Sequence, residues 1–194
     1  SIIEQEISQL SIAIIVERQN FTAKLDAFMG SPNSLFFPKV RIIWSGMVEE
    51  WLNGKPAIYA EEKMGFYLEK ERLDRSFSMC GPFNSVLKIW FGDFGKPSEL
   101  CSTGQQKSIL VSIVLAYSKL LKNKKEFPPI LLLDEATAHL DEEQFQAFFE
   151  ESLVNSSQIW MTGTDKYIFK KLEKSANLQY FVINDSNITQ LVDL

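Results

Sequence analysis

The feature that most constrains the fold is a short apolar run, Ile130–Leu133, which follows two prolines and ends at two adjacent carboxylates. A continuous apolar run bounded by turn-forming residues is typical of a strand buried on both faces of a parallel sheet. We therefore expect Asp134 and Glu135 to lie at the end of a buried strand, where an unpartnered carboxylate would be costly.

Helical patterns flank this strand. Upstream, the hydroxyl of Ser102 or Thr103 can cap a new helix, whose predicted buried stripe is Ile109, Ile113, Val114, Tyr117, Leu120 and Leu121. Downstream, Asp141 and Gln144 resemble a capping box, so the next helix is predicted to begin there. A strand at 158–162, a helix at 166–175 and a hairpin of 180–183 with 188–192 complete the pattern. Alternating strands and helices predict an α/β fold with a parallel sheet core flanked by helices.

Residues 1–80 have a different pattern. Residues 1–29 are predicted to form a long helix with one apolar stripe, consisting of Ile3, Ile7, Leu10, Ile14, Phe21, Leu25 and Phe28. This near-heptad spacing fits one strand of an antiparallel helical arm and fits an ordinary core helix equally well. Strands are predicted at 36–44 and 86–91, with a helix at 58–75 between them. Gly81 and Pro82 indicate a boundary, so we expect domains at 1–80 and 81–194.

The composition excludes several classes of protein. The 194 residues carry a net charge of −5, which argues against a uniformly basic nucleic-acid binder. A hydrophobic content of 45% argues against global disorder. The 2 cysteines show no C-x-x-C spacing, which favours a reducing, cytoplasmic setting. We expect no membrane span, because apolar runs stay well below the roughly 18–20 residues that a membrane helix needs.

The two motifs together point to nucleotide chemistry. Asp134 could hold Mg²⁺, and Glu135 could orient or deprotonate a water that attacks a phosphate. A Ser-Thr-Gly-Gln-Gln turn opening a helix, at 102–106, can present backbone N–H groups to a phosphate. Alone, an acidic pair after apolar residues is more often structural. The presence of both motifs in this order favours a nucleotide site.

These segments resemble a known superfamily. Residues 101–106 resemble the signature motif of ABC-type ATPases, residues 130–135 their Walker B strand, and residues 138–141 their D-loop. Within that superfamily the sequence resembles the RecF family of recombination proteins, including the Trp-Met-Thr-Gly-Thr-Asp segment at 160–165. The resemblance is specific over 81–170. Over 1–80 it is weaker, and that region resembles the returning half of the RecF helical arm subdomain.

The resemblance implies a mechanism and partners. Two RecF-like molecules sandwich ATP and Mg²⁺ in a head-to-tail dimer, and the signature residues of one contact the γ-phosphate bound on the other. Carried over, those signature residues are Ser102, Thr103, Gly104 and Gln105. Asp134 would hold Mg²⁺, Glu135 would be the hydrolytic base, and Asp141 would link the two sites. Thr164 or Asp165 lies where transporter ATPases carry a switch histidine. The sole histidine, His139, is better interpreted as an interface residue than as a catalytic one. The implied partners are DNA, including junctions of single- and double-stranded DNA, and RecO/RecR-type mediators.

The sequence also departs from the family pattern. It contains no G-x-x-x-x-G-K-[ST] phosphate loop, so we expect a fragment that alone neither binds ATP tightly nor hydrolyses it. After Gly81-Pro82 the family usually continues with His and, a little later, Asp, whereas residues 83–86 here are Phe, Asn, Ser and Val, which argues against a nucleotide or DNA role of that turn. Two other interpretations stay open. One is a non-catalytic module that pairs with a separate N-terminal half. The other is half of a transporter ATPase, which Thr103 and the missing switch histidine disfavour.

Overall fold

The computed structural model describes residues 1–29, 37–74, 80–92, 95–124, 128–135, 140–184 and 187–191. The chain divides into two compact units. The first comprises Ser1–Met29 and Lys39–Cys101, and the second comprises Gly30–Pro38 and Ser102–Leu194. Helices and strands mix in both units, and the second contains a parallel strand pair, so the predicted α/β class is confirmed. No helix in the described part of the chain is both long enough and apolar enough to cross a membrane.

The first unit combines three helices with an antiparallel sheet. Its elements are α1 (Ile2–Asp26), β1 (Val40–Ser45), α2 (Met47–Leu52), α3 (Ala57–Asp74), β2 (Val86–Phe91) and β3 (Lys96–Pro97). The three strands lie in the order β1-β2-β3, with Val40 opposite Phe91. The helix predicted at 58–75 and the strand predicted at 86–91 are therefore confirmed.

The buried face of α1 agrees with the predicted apolar stripe only at Leu25, which is 3% exposed. Ile3, Leu10 and Ile14 of that stripe are 69%, 59% and 44% exposed. Instead, α1 buries Ile12 and Ile15 together with several small polar residues and packs them against α3. The buried serines on this face, Ser8 and Ser11, are small and occupy little space between the two helices. A Cβ on Gly65 of α3 would lie 3.7 Å from the Ser8 hydroxyl, an ordinary van der Waals distance.

An ion pair joins the start of α1 to the end of α3. The Glu4 carboxylate accepts hydrogen bonds from the Ser1 amino group and from the Arg72 guanidinium. These contacts, the amino group first and Arg72 second, lower the pKa of Glu4 from 4.5 to about 2. Because the pKa of Glu4 is lower in the folded chain than in the unfolded chain, the ionised carboxylate stabilises the fold at pH values above 4.5. This stabilisation is lost as the pH falls from 4.5 through about 2, where Glu4 becomes protonated in the folded chain.

We expect Arg72→Gln to weaken the pH dependence of stability in this window. Between pH 4.5 and about 2 the wild-type chain should lose stability as Glu4 is protonated, and the variant should lose less. Urea unfolding at several pH values measures both slopes. Lys70→Gln, which changes an exposed lysine on the same helix, is the matched control. Equal slopes for wild type and Arg72→Gln would contradict the assignment.

The second unit contains the predicted parallel strands. Its elements are α4 (Thr103–Lys124), β4 (Ile130–Leu133), α5 (Glu142–Asn155), β5 (Gln158–Met161), α6 (Lys166–Lys171), β6 (Tyr180–Asn184) and β7 (Asn187–Leu191). Strands β4 and β5 are parallel, with Leu133 opposite Met161. Strands β6 and β7 form the predicted antiparallel hairpin. A short 3₁₀ turn, Leu172–Lys174, follows α6.

Aromatic residues of α5 form the core of the second unit. Phe148 packs with Leu115 of α4, Leu131 of β4 and Phe37, whose ring lies 6.3 Å from that of Phe148. A second cluster joins Phe145 and Phe149 to Leu172. The predicted stripe of α4 is only partly correct. Ile109 and Leu120 are buried, but Tyr117 is 43% exposed, and the buried Leu115 and Ala116 were not predicted.

Strand β4 is not buried on both faces, which corrects the prediction. Leu131 is buried against α4 and α5, whereas Ile130 and Leu132 are 60% and 74% exposed. Among the described residues, β5 is the sole strand paired with β4. The apolar run therefore has one face in a core and one face in solvent, and the carboxylates that follow it are exposed as well.

Candidate nucleotide site

The signature turn begins α4 with a reciprocal cap. The Ser102 N–H donates to Gln105 Oε1 at 3.0 Å, and the Gln105 N–H donates to Ser102 Oγ at 3.3 Å. This is the capping-box arrangement, with Gln105 in the third helical position. The Gln106 N–H donates to the Ser102 carbonyl at 2.9 Å, which is the first helical bond of the backbone. The helix therefore begins at Thr103, within the predicted range.

The first turn of α4 is open to a ligand. Ser102, Thr103 and Gly104 are exposed. A Cβ added to Gly104 would meet no atom within 4 Å. The first amides of a helix point outward along its axis and form the positive end of the helix dipole, which favours an anion. Gly104 adds a place where a bulky anion can approach the backbone closely.

The acidic edge lies where β4 and β5 end. The Thr162 N–H donates to the Leu133 carbonyl at 2.9 Å and extends the strand pairing beyond the last residue of β5. Here the Thr162 hydroxyl donates to Asp134 Oδ1 at 2.5 Å and accepts from the Glu135 N–H at 2.9 Å. Glu135 has a φ of 49°, in the left-handed region that non-glycine residues seldom adopt. Both carboxylates are exposed.

Thr162 is the residue of this edge that motif reasoning missed. It lies inside the segment 160–165. The resemblance to transporter ATPases pointed instead to Thr164 or Asp165 of that segment, at the position of the switch histidine. The signal that could have found it is positional. Residues that follow adjacent parallel strands meet at one edge of the sheet, so Thr162 must lie beside Asp134 once β5 is paired with β4.

The structure does not bring all the predicted site residues together. Thr164 is exposed, and no hydrogen bond between described residues joins it to Asp134 or Glu135. Asp165 accepts from the Tyr167 N–H at 2.9 Å and caps α6. Within the described ranges, no hydrogen bond or ion pair connects 102–105 with the acidic edge.

Asp141 has a structural role in this chain. Its carboxylate accepts from the Gln144 N–H at 2.8 Å, and its own N–H donates to Gln144 Oε1 at 3.4 Å. The capping box predicted for α5 is therefore confirmed. Ala138 and His139 of the predicted D-loop lie outside the described residues, whereas Leu140 is half-buried and packs against both hydrophobic clusters of the second unit.

The donor set at the acidic edge suits Mg²⁺ better than a transition metal. Asp134, Glu135 and Thr162 offer oxygen atoms only. Among the described residues there is no group of three or more His, Cys, Asp or Glu side chains able to hold a metal. Mg²⁺ is commonly held by one or two carboxylates together with phosphate oxygens and waters, so this small donor set fits a Mg²⁺–nucleotide complex.

Several lysines that could form a basic face are engaged within the second unit. Lys119 pairs with Glu151, and Lys171 pairs with Glu142. Lys122 donates to the Val154 carbonyl at 2.7 Å. These contacts hold the three lysines against neighbouring residues of the same unit.

Comparison with known proteins shows what this chain is similar to. No protein-family model matches the chain. The DNA replication and repair protein RecF of Agrobacterium fabrum is 32% identical over 191 residues, which cover 96% of this chain and 50% of the relative. The RecF protein of Mesorhizobium japonicum is 36% identical over 174 residues, covering 88% of this chain and 46% of the relative.

Solved structures agree with these relatives. The recombination mediator protein RecF, described as RecF-ATPrS in the RecFOR pathway, matches 98% of this chain and 50% of its own with a TM-score of 0.71. The RecF-ATP form matches with a TM-score of 0.70. At 20% and 18% identity these two similarities establish the fold. The chain spans about half the length of the curated relatives that it matches. We conclude that this chain is RecF-like over nearly its whole length and corresponds to the C-terminal half of such a protein, as its motifs predicted.

Proposed function

We propose that this chain is the signature and Walker B half of a RecF-like ATPase that acts in DNA replication and repair. The observation that carries the proposal is the acidic edge. Asp134 and Glu135 follow a strand of a parallel pair, in the same compact unit as an open helix N-terminus. Relatives named for DNA replication and repair, and structures named for RecF-ATP, support the same activity.

Each of the candidate site residues has a separate role in the proposed ATP hydrolysis. The Asp134 carboxylate holds Mg²⁺, and the carboxylate of Glu135 accepts a proton from the attacking water. Mg²⁺ supplies charge that offsets the phosphate oxygens when the nucleotide is bound. Ser102, Thr103, Gly104 and Gln105 present the positive end of α4 to a phosphate.

A head-to-tail dimer is part of this proposal because residues 101–106 resemble the ABC signature motif, which serves ATP held by a partner molecule. In a head-to-tail homodimer the signature turn contacts ATP bound on the partner molecule, and Asp141 and Thr164 lie near the junction. In this assignment 1–80 is part of a helical arm subdomain and 81–194 part of the ATPase domain.

The wider setting follows from the relatives. We propose DNA as a partner because the matched proteins are named for DNA replication and repair. Binding at junctions between single- and double-stranded DNA belongs to the same proposal and rests on the resemblance of the motifs alone. RecO- and RecR-type mediators are assigned because the matched structures are described in the RecFOR pathway. A cytoplasmic location, with function in recombination and the SOS response to DNA damage, belongs to the same proposal.

One observation favours a second candidate, a non-catalytic module that pairs with another polypeptide. The exposed face of the β4–β5 sheet carries Ile130, Leu132 and Trp160, the last 52% exposed. Contiguous exposed apolar residues usually indicate an interaction surface. The DNA sequence upstream of the segment that encodes this chain distinguishes the two candidates. A phosphate loop encoded there in frame supports the ATPase. If no such loop is encoded, the non-catalytic pairing module is the better candidate.

The test of the proposed function uses Gly104→Ala in the full-length protein. A Cβ here meets nothing within 4 Å, so the chain should tolerate it and gain about 0.5–1 kcal/mol from better helix propensity. The same methyl group should hinder a phosphate that approaches the turn, lowering ATP-dependent dimerisation and hydrolysis at least about tenfold, or about 1.4 kcal/mol. Thermal unfolding, analytical ultracentrifugation with and without ATP, and phosphate release measure these effects.

Gly65→Ala is the matched control. Gly65 is also helical, and its added Cβ makes only an ordinary contact with Ser8, at 3.7 Å. It should raise stability similarly and leave ATP-dependent association unchanged. If Gly104→Ala associates and hydrolyses ATP like Gly65→Ala, the signature turn has no nucleotide role.

A further inference from the structure

One hydroxyl group connects the two acidic residues of the acidic edge. Thr162 follows β5, and its Oγ1 lies 2.5 Å from Asp134 Oδ1 and 2.9 Å from the Glu135 amide nitrogen. The residues it contacts are separated from it by 28 and 27 positions in sequence. Its backbone N–H is engaged too, at 2.9 Å from the Leu133 carbonyl.

We propose that Thr162 is a positioning residue that orients Asp134 toward a magnesium ion and fixes the backbone from which Glu135 projects. This inference rests on the proposed function, because it assigns Thr162 to the ATPase site formed by those two carboxylates. Thr162 does not touch the reacting atoms in this role. It acts through its two neighbours.

The direction of the hydrogen bonds determines what Thr162 can do. A hydroxyl has one proton to donate and oxygen lone pairs with which to accept. The Glu135 N–H can only donate, so it uses a lone pair of Thr162, and the hydroxyl proton is given to Asp134. One carboxylate oxygen of Asp134 is thereby occupied and its plane is set. The second oxygen, in an exposed side chain, is available to a cation.

The hydrogen bond from the Glu135 N–H to Thr162 also holds an unfavourable backbone conformation at Glu135. A φ of 49° is unfavourable for a side chain with a Cβ, and such conformations persist when surrounding contacts hold them. The bond from the Glu135 N–H to Thr162 is the contact that the structure shows at that amide. Removing the hydroxyl should release the turn and let Glu135 leave the position required of a base.

Two substitutions separate the hydroxyl from the shape of the side chain. Thr162→Val is nearly isosteric but removes both hydrogen bonds, and Thr162→Ser keeps the hydroxyl. Thr162 is exposed and its backbone pairing does not depend on the side chain, so both variants should fold. Thr189→Val, at an exposed threonine of β7, controls for the general effect of replacing a strand hydroxyl.

The first readout needs no nucleotide. In the 194-residue chain, amide exchange of Glu135 measured by NMR should accelerate at least about tenfold in Thr162→Val, since the protecting acceptor is lost. Thr162→Ser and Thr189→Val should keep the wild-type rate. An unchanged Glu135 exchange rate in Thr162→Val would show that the Thr162 hydroxyl does not hold the Glu135 backbone, whatever the activity of the protein.

The second readout uses the full-length protein. Thr162→Val should lower kcat for ATP hydrolysis about tenfold or more and raise the Mg²⁺ concentration needed for half-maximal rate, with little change in the KM for ATP. Thr162→Ser should restore both values. Wild-type-like kcat and Mg²⁺ dependence in Thr162→Val would refute the positioning role. If wild type hydrolyses no ATP, the proposed function fails, and the exchange measurement alone decides whether Thr162 holds the turn.

Discussion

Phe149→Ala is expected to lower the free energy of unfolding of the second unit by about 3–5 kcal/mol. The Phe149 ring is 1% exposed and packs in one cluster with Phe145 and Leu172. Truncation to alanine removes its contacts and leaves a cavity that the neighbouring elements can close only in part. Because this cluster joins α5 to the 3₁₀ turn after α6, its loss affects tertiary packing rather than one helix.

Urea unfolding followed by circular dichroism measures the change. Val154→Ala is the control, because Val154 lies on the same helix and is 65% exposed. We expect the control to change stability by at most about 0.5 kcal/mol. A loss of less than about 1 kcal/mol for Phe149→Ala would show that the ring is not in the core described for it.

Glu135→Gln is expected to have the largest effect on activity. In the full-length protein it should slow ATP hydrolysis about 10²- to 10⁴-fold, because glutamine cannot accept the proton of the attacking water. Glutamine keeps the size of the side chain, and the amide that Thr162 binds belongs to the backbone. ATP-dependent dimerisation should therefore persist, and the dimer should accumulate because its release depends on hydrolysis.

Phosphate release under single-turnover conditions and ultracentrifugation with ATP measure the two outcomes. Glu62→Gln is the matched control, an exposed glutamate on α3 in the other compact unit. Asp134→Asn should differ from Glu135→Gln by raising the Mg²⁺ requirement, since it weakens a metal ligand. If Glu135→Gln hydrolyses ATP at the wild-type rate, Glu135 is not the base that accepts the proton of the attacking water.

Local chemistry explains which structural predictions were correct. The helix that begins at Thr103 and the cap formed by Asp141 with Gln144 depend on residues three positions apart, so their signals are present in the sequence. The parallel strand Ile130–Leu133 was recognisable from its apolar composition and its flanking prolines.

Predictions about burial were less successful, because burial depends on the partner that an element meets. Periodicity showed that α1 has an apolar stripe, but α3 packs on the adjacent face, where Ser8 and Ser11 are buried beside Ile12 and Ile15. Likewise, the composition of β4 predicted two buried faces, whereas Leu132 is 74% exposed. An apolar pattern indicates which face can be buried and does not identify what covers it.

The sequence by itself determined the resemblance to RecF proteins and the position of the acidic pair. The signature turn, the strand and the carboxylates can be read from the order of the residues, and the curated relatives that the chain matches are named RecF. Only the tertiary structure decided how that pair is held. Thr162 is far from Asp134 and Glu135 in sequence and reaches them because β5 pairs with β4 in parallel register. Contacts between distant residues depend on strand pairing, and no local pattern records them.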